Sequence, residues 1–393
     1  MAEKEGNMGS MDRKIVLAVV FGGQSSEHEV SRVSAQSVLE NVDPDKYEVR
    51  MIGITKSGEW LPYKGDIHLV GTGEWEDAAR EQRRRIAREP ASTPLPAIGA
   101  SSCMGLLSAG VEDASVAQVD VVFPVLHGPN GEDGTVQGVF QLAGVPYVGC
   151  GLLASAAGMD KSFSKIVFAS AGIPQARFIL VLRSEIQGGM AVIGRRVADE
   201  LGYPCFVKPA NAGSSVGVSK VKRPEDLEAA LREAARFDTK ILVEEFIDGR
   251  EVECAILGNE EPMASVVGEV LPCNEFYDYT AKYIDARSET VIPADLDPET
   301  AEQVQKQAVR AFKALGASGL SRVDFFVERG TGRVVLNEIN TMPGFTSISM
   351  YAKLWAASGI PYAELVDRLV ELALQRHEES GISFNRNEGK DAS

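Results

Sequence analysis

The chain has 393 residues, 44% of them hydrophobic, with 40 Lys plus Arg against 56 Asp plus Glu and a formal net charge of −16. That length suffices for two or three domains, each with its own core. The acidic balance argues against nucleic-acid binding as a main task, since a phosphate backbone wants a net basic surface.

Cys103, Cys150, Cys205, Cys254 and Cys273 are widely spread without a CxxC pair, and read as reduced thiols of a cytoplasmic protein. Four histidines, none spaced as a metal pair, argue against zinc chemistry. The opening MAEKEGNMGSMDRK has no apolar segment and no later run approaches spanning length, so neither a signal peptide nor a membrane span is expected. Residues 1–12 and 381–393 are polar and expected to be disordered.

KIVLAVVF (14–21) reads as a strand buried on both faces, followed by the turn Gly22-Gly23-Gln24-Ser25-Ser26 and a helix. Ser26 and Glu29 form a capping-box pattern, which puts Glu27 in the first helical turn. The helix dipole alone would account for Glu27. The functional alternative is a carboxylate at the C-terminal edge of a parallel sheet, placed to meet the ammonium of a small substrate. YEVRMIGIT (47–55) supplies the second strand of a βαβ unit. Residues 56–117 form a less regular insert, and its basic run Arg80–Arg88 reads as a solvated helix face. QVDVVFPVLHG then runs as a strand into the glycine-dense loop His127–Gly134, where His127 either braces the loop or touches substrate.

No dinucleotide GxGxxG follows the first strand, and Asp160-Lys161-Ser162 lacks the glycines of a Walker loop. A nucleotide would therefore need another cradle. Residues 152–171 read as one helix carrying Lys161, and Lys208 ends a later apolar strand. Ala210–Val218, rich in Gly and Ser, then turns back into VSKV as a hairpin flap. Its backbone N–H groups, with Ser214 and Ser215 and the two lysines, suit a polyphosphate. KILVEEFI presents Glu244 and Glu245, near which a carboxylate could hold ribose while hinge backbone reads the adenine edge. The irregular stretch 271–293 reads as a lid, with Lys282 and Tyr283 as its candidate contacts.

RVDFFVER and RVVLNEIN, around Gly330-Thr331-Gly332, read as a hairpin with a three-residue loop in which Arg329 pairs with Arg333. Counting back by twos sets Asp324 opposite Glu338 and Arg322 opposite Asn340 on one face. Val323, Phe325 and Val327 then lie against Val335, Asn337 and Ile339 on the other. Two carboxylates and a carboxamide make a hard oxygen site suited to Mg²⁺. The following Gly344 could offer its N–H to an oxyanion near Arg322.

Gly22-Gly23…Glu27, His127-Gly128…Gly131-Glu132-Asp133-Gly134, Met159-Asp160-Lys161, Val207-Lys208-Pro209…Gly213-Ser214-Ser215-Val216-Gly217, Tyr277-Asp278-Tyr279…Lys282-Tyr283, Arg322-Val323-Asp324 and Asn337-Glu338-Ile339-Asn340…Pro343-Gly344 together resemble the D-alanine:D-alanine ligases of the ATP-grasp superfamily. The resemblance runs from about residue 14 to 375. It implies an α/β (α+β) protein, an ATP-grasp fold with an N-terminal Rossmann-like pre-ATP-grasp domain (13–150), a central subdomain (151–243) and a C-terminal catalytic subdomain (244–380).

By the same likeness, ATP contacts fall on Lys161, Lys208, Ser214, Ser215, Glu244, Glu245, Ile247, Glu251, Lys282 and Phe326. Two Mg²⁺ ions, replaceable by Mn²⁺, fall on Asp324, Glu338 and Asn340, with room for an assisting monovalent cation. Glu27 would orient the first D-alanine, Ser349 and Gly344 would take the carboxylate of the second, and Arg322 would face the oxyanion. His127, Ser214, Lys282 and Tyr283 complete the catalytic set. A cytoplasmic homodimer acting in cell-wall synthesis is implied, with ATP and D-alanine as partners and neither nucleic acid nor membrane. The rival readings are a ligase using D-lactate or D-serine, another ATP-grasp carboxylate:amine ligase, and a nucleotide-binding regulator without catalysis. The last would be expected to lack a metal carboxylate or the arginine, and the sequence has them all.

Overall fold

A computed structural model describes residues 13–88, 119–271 and 289–380. The two tails, Cys103, Cys273 and the expected lid contacts Lys282 and Tyr283 lie outside the described residues.

The first unit begins with β1 (Ile15–Gly22), whose apolar run is buried on both faces as its continuous hydrophobicity predicts. Next come α1 (His28–Asn41), β2 (Tyr47–Ile54), β3 (Trp60–Tyr63), α2 (His68–Thr72), α3 (Trp75–Arg88), β4 (Val121–Val125) and α4 (Thr135–Leu142). The sheet order is β3-β2-β1-β4, with β2 and β4 parallel to β1 and β3 an antiparallel edge. The described part of the insert is thus ordered structure, pinned by Trp75, which is 1% exposed and packs edge-on against Phe21. Replacing so buried an indole by Ala costs on the order of 3–5 kcal/mol. The basic run lies on α3, where Arg80 and Arg83 both pair with Glu59.

The expected capping box does not form: no side chain caps α1, and Glu29 pairs instead with Lys56. Glu27 occupies the N-cap position, and its own N–H donates to Ser25 Oγ. The single helix expected over 152–171 is two, α5 (Leu152–Met159) and α6 (Lys161–Ser170). Asp160, extended at φ −80° and ψ 98°, breaks the run, and its carboxylate accepts the N–H groups of Ser162 and Phe163 to start the second helix.

β5 (Phe178–Leu182), α7 (Arg183–Glu200), β6 (Cys205–Pro209), β7 (Ser219–Val221), α8 (Leu227–Ala234) and β8 (Lys240–Glu245) build an antiparallel sheet in the order β5-β8-β6-β7. The flap joining β6 to β7 is the hairpin expected from its composition. β9 (Gly249–Gly258), β10 (Met263–Leu271), β11 (Glu289–Val291), α9 (Pro298–Leu315), β12 (Gly319–Glu328), β13 (Val334–Asn340), α10 (Met350–Ala357) and α11 (Tyr362–Ser380) complete the chain. Their strands form an antiparallel sheet in the order β11-β10-β9-β12-β13.

Core packing groups these sheets unequally. One continuous core joins Leu17, Phe21 and Phe123 of the first sheet to Leu257 and Leu320 of the third, through Phe345, Tyr351, Trp355 and Leu369. α5, α6 and α9 cover the other face of the third sheet. The central sheet has a core of its own, confined to residues between Ile179 and Val243. Arg376 adds a further tie between the first and third units, donating to the carbonyls of Tyr147 (2.7 Å) and Gly149 and to Ser318.

Candidate active site

Helix α1 and the loop after β4 from the first unit, with strands of the second and third sheets, line a cleft of about 810 Å³ whose floor is the β12–β13 hairpin. Arg322 pairs with Asn340 and Asp324 with Glu338, as expected. Nearer the turn the expectation fails by one residue: Glu328 N–H donates to Arg333 O, leaving a four-residue loop, and Phe325 faces Leu336 instead of Asn337. A register shift beside Asp324 makes up the difference, and Asn337 lines the cleft where the sequence suggested the core face.

The side chains on this floor form one charged cluster. Arg322 binds Asp324 through two parallel 2.8 Å bonds and approaches Glu253 at 2.9 Å, while Asn340 donates to Asp324 at 3.0 Å. Burial opposes the charge on Arg322, but Asp324 and Glu253 hold it protonated well above its ordinary range. Lys161 lies 3.4 Å from Glu338 and donates to Ala212 O at 2.9 Å, linking floor to flap. Glu253 was not anticipated. It is two residues on from Glu251 along β9, so the two share a strand face, the one turned to this cleft. Among the described residues no cluster of three or more His, Cys, Asp or Glu suits a metal. The donor set that remains, Asp324, Glu338 and Asn340, is all oxygen, the ligand chemistry of a hard divalent ion, and Arg322 and Lys161 hold its two carboxylates in this structure.

Lys208 and Glu244 are diagonal neighbours across β6 and β8, with Nζ 2.8 Å from Oε2. The other carboxylate oxygen faces Lys165 at 3.1 Å. Burial works against the Glu244 charge, yet the two lysines hold its carboxyl below the usual range. Glu244, expected among the ATP contacts, is bound by the two lysines in this structure. Glu245 is bound by Arg177, at 2.9 Å from its N–H and 2.7 Å from Nε. Ala176, Ile247 and Val335, with Phe326 packed against them, make an apolar wall beside Glu251 in the same cleft.

At the opposite end, Glu27 is 6% exposed and accepts a hydrogen bond from Ser214 Oγ of the flap. Ser214 and Ser215 both adopt positive φ, 49° and 58°, which bends the flap tightly over this end. A Cβ on Gly128 or Gly213 would come within 2.5 Å or 2.9 Å of Glu27 Oε2, so both glycines let backbone approach the carboxylate. His127 is buried between Met342 O (3.1 Å) and Ser34 Oγ (3.2 Å). Burial lowers its pKa against the opposing pull of Glu27 and Met342 O, which favours a neutral imidazole. Ser34 also accepts the Phe345 N–H, so α1, His127 and the loop after β13 meet at one hydroxyl. In that loop Ser349 Oγ accepts the Thr346 N–H at 3.0 Å, and a Cβ on Gly344 would stand 3.2 Å from it.

Glu132, whose carboxylate accepts the Gly128 N–H at 2.5 Å, is pushed up to about 8 by burial and by the charge of Glu27. The folded state therefore keeps a proton that the unfolded chain loses near 4.5. The stability this confers is full below that value and lost as pH rises through about 8. Glu132→Gln should flatten the Tm profile between about pH 5 and 8.5 relative to the parent, read by thermal melts across that range.

The same chain matches two family models, "D-ala D-ala ligase N-terminus" over residues 16–150 and "D-ala D-ala ligase C-terminus" over 167–371. The chain belongs to the D-alanine–D-alanine ligase family. A D-alanine–D-alanine ligase of Acetivibrio thermocellus is 56% identical, covering 94% of this chain and 98% of the relative. The D-alanine–D-alanine ligase structure from Coxiella burnetii superposes with TM-score 0.77 at 35% identity, covering 93% of this chain and 96% of that one. The VanG D-Ala:D-Ser ligase structure from Enterococcus faecalis gives TM-score 0.77 at 38% identity, covering 92% and 100%. Membership makes the protein an ATP-dependent carboxylate–amine ligase with the ATP-grasp fold, acting on small molecules with ATP and a divalent metal. Among the described residues no helix is long and apolar enough to cross a membrane.

Proposed function

We propose that the protein joins two D-alanine molecules into D-alanyl-D-alanine for peptidoglycan precursors, through an acyl phosphate. The observation that carries this reading is the convergence of Glu27, the Ser214 flap, Lys161, Lys208 and the Arg322–Asp324–Glu338–Asn340 surface on one cleft. Glu27, buried and negative at one end, holds the ammonium of the first D-alanine. The carboxylate oxygen of that D-alanine attacks the γ-phosphorus of ATP, forming its acyl phosphate and releasing ADP. The flap and the lysines orient the triphosphate, and positioning lowers most of the barrier. Adenine lies on the wall of Ile247 and Phe326, with Glu245 and Glu251 at its rim and Ser215 over the phosphates.

Asp324, Glu338 and Asn340 would hold two Mg²⁺ ions, or Mn²⁺ in their place, which would neutralise phosphate charge, and a monovalent cation would assist. The free amine of the second D-alanine then attacks the acyl carbon, its carboxylate held by Ser349 and the Gly344 turn. Arg322 and the Gly344 N–H face the tetrahedral oxyanion before phosphate departs. No acceptor among the described residues takes that N–H, which supports its assignment. His127, neutral and braced, positions the first substrate's seat; Lys282 and Tyr283, outside the described residues, are assigned to the site by the family resemblance alone. Exclusion of water protects the acyl phosphate from hydrolysis.

Incubation with ATP, Mg²⁺ and D-alanine should yield D-alanyl-D-alanine by mass spectrometry, with phosphate release dependent on D-alanine. Mixtures with D-lactate or D-serine decide the rival substrates: mainly depsipeptide or D-alanyl-D-serine would overturn the assignment. One sheet falls mainly in each of the units 13–150, 151–243 and 244–380, which supports that division. The enzyme acts as a homodimer in the cytoplasm, where its ATP is made. Leu142 and Leu153, 82% and 76% exposed on the packed helices α4 and α5, support the dimer. Light scattering should give twice the chain mass, and L142E/L153E should halve it.

A further inference from the structure

Lys165 lies behind the cleft lining, a buried lysine to which the proposed chemistry gives no task. It stands one helical turn after Lys161 on α6, is 2% exposed, and lies 5.4 Å from the centroid of the Phe178 ring. Among the described residues its only oxygen partner is Glu244, at 3.1 Å. That contact is an ion pair without hydrogen-bond geometry, since neither Lys165 Nζ nor Glu244 Oε1 has a well-directed partner. Glu244, 5% exposed, gives its better contact to Lys208 at 2.8 Å. Two lysines thus share one interior carboxylate.

We propose that Lys165 is a positioning residue that keeps Glu244 balanced, so that Lys208 can exchange that carboxylate for the phosphates of ATP. The proposal rests on the reading of Lys208 as a phosphate ligand. With Lys165 absent, Lys208 and Glu244 form an exclusive interior pair. Moving Lys208 onto phosphate would then strand a buried carboxylate, the arrangement that is most costly in a protein interior. With Lys165 present, Glu244 keeps a counter-charge throughout, and the loose 3.1 Å contact has room to tighten as Lys208 departs. The stem of Lys208 comes from a strand end beside the flap, whereas Lys165 is fixed within a helix.

The test is a cycle of Lys165→Met, Glu244→Gln and the double variant in the full-length enzyme, each assayed for kcat and for the KM of ATP and of D-alanine. Lys165→Met should raise the ATP KM about 100-fold while the D-alanine KM stays within about threefold. The double variant should match Glu244→Gln within about threefold, because Lys165 acts only through the carboxylate. An ATP KM unchanged in Lys165→Met overturns the proposal. So does a further tenfold loss in the double variant relative to Glu244→Gln, a comparison that stands even if Lys165→Met alone does not fold. Lys208→Met separates the two readings: an unchanged ATP KM there removes the phosphate role of Lys208 itself, whatever Lys165 does.

Discussion

Glu338→Gln should lower D-alanine-dependent phosphate release by about a thousandfold while leaving the thermal melt within about 2 °C of the parent. The substitution removes one of the two anionic groups of the candidate metal set and keeps its shape. The half-buried side chain sits on the cleft surface of β13, whereas the packing of that strand is carried by Val335, Leu336 and Ile339. Lys161 loses its Glu338 counter-charge but keeps its hydrogen bond to the Ala212 carbonyl, and the Gln amide oxygen can still face it. Titration of Mg²⁺ against activity adds a second readout, with the midpoint moving to higher metal. A variant with parental turnover would remove Glu338 from the metal set and leave Asp324 without the second carboxylate that the hairpin brings opposite it.

A second large effect is expected at the other end of the cleft. Glu27→Gln should raise the D-alanine KM about 100-fold and leave the ATP KM within about threefold. The amide can still accept the hydrogen bond from Ser214 Oγ, so the flap contact survives and only the negative charge is lost. Because Glu27 is 6% exposed, little water is present to replace its attraction for an ammonium. Steady-state kinetics with each substrate varied in turn decides the matter. Equal rises in both KM values would mean that Glu27 serves flap closure and not the first substrate.

These two residues also mark how far the chain could be read without coordinates. The opposition of Asp324 to Glu338 followed from strand alternation alone, since side chains two apart share a face. It held in spite of a wrong turn, because the one-residue error at the loop is cancelled by the register shift beside Asp324. Alternation cannot reveal such a pair of compensating irregularities. The helix break at Asp160 was similarly hidden: apolar periodicity continues through it, and only the Asp itself, a residue type favoured at N-caps, hinted at one.

Glu244 shows the deeper limit. Its place beside Lys208 depends on β8 lying next to β6, strands more than thirty residues apart in the chain, and nothing local specifies that neighbour. Lys165 and Glu253 left fainter signals, a spacing of four from Lys161 on a helix and of two from Glu251 on a strand. Each acquires meaning only once the partner across the cleft is known.

The unequal sharing of the cores has a mechanical consequence. The first and third sheets, sharing one core and the Arg376 tie, form a single support for the cleft floor. The central sheet, with a core of its own, meets that support through charged contacts, Asp160 with Lys240 and Lys165 with Glu244. Damage confined to that private core would therefore strip the nucleotide side of the cleft while the floor beneath it stays assembled.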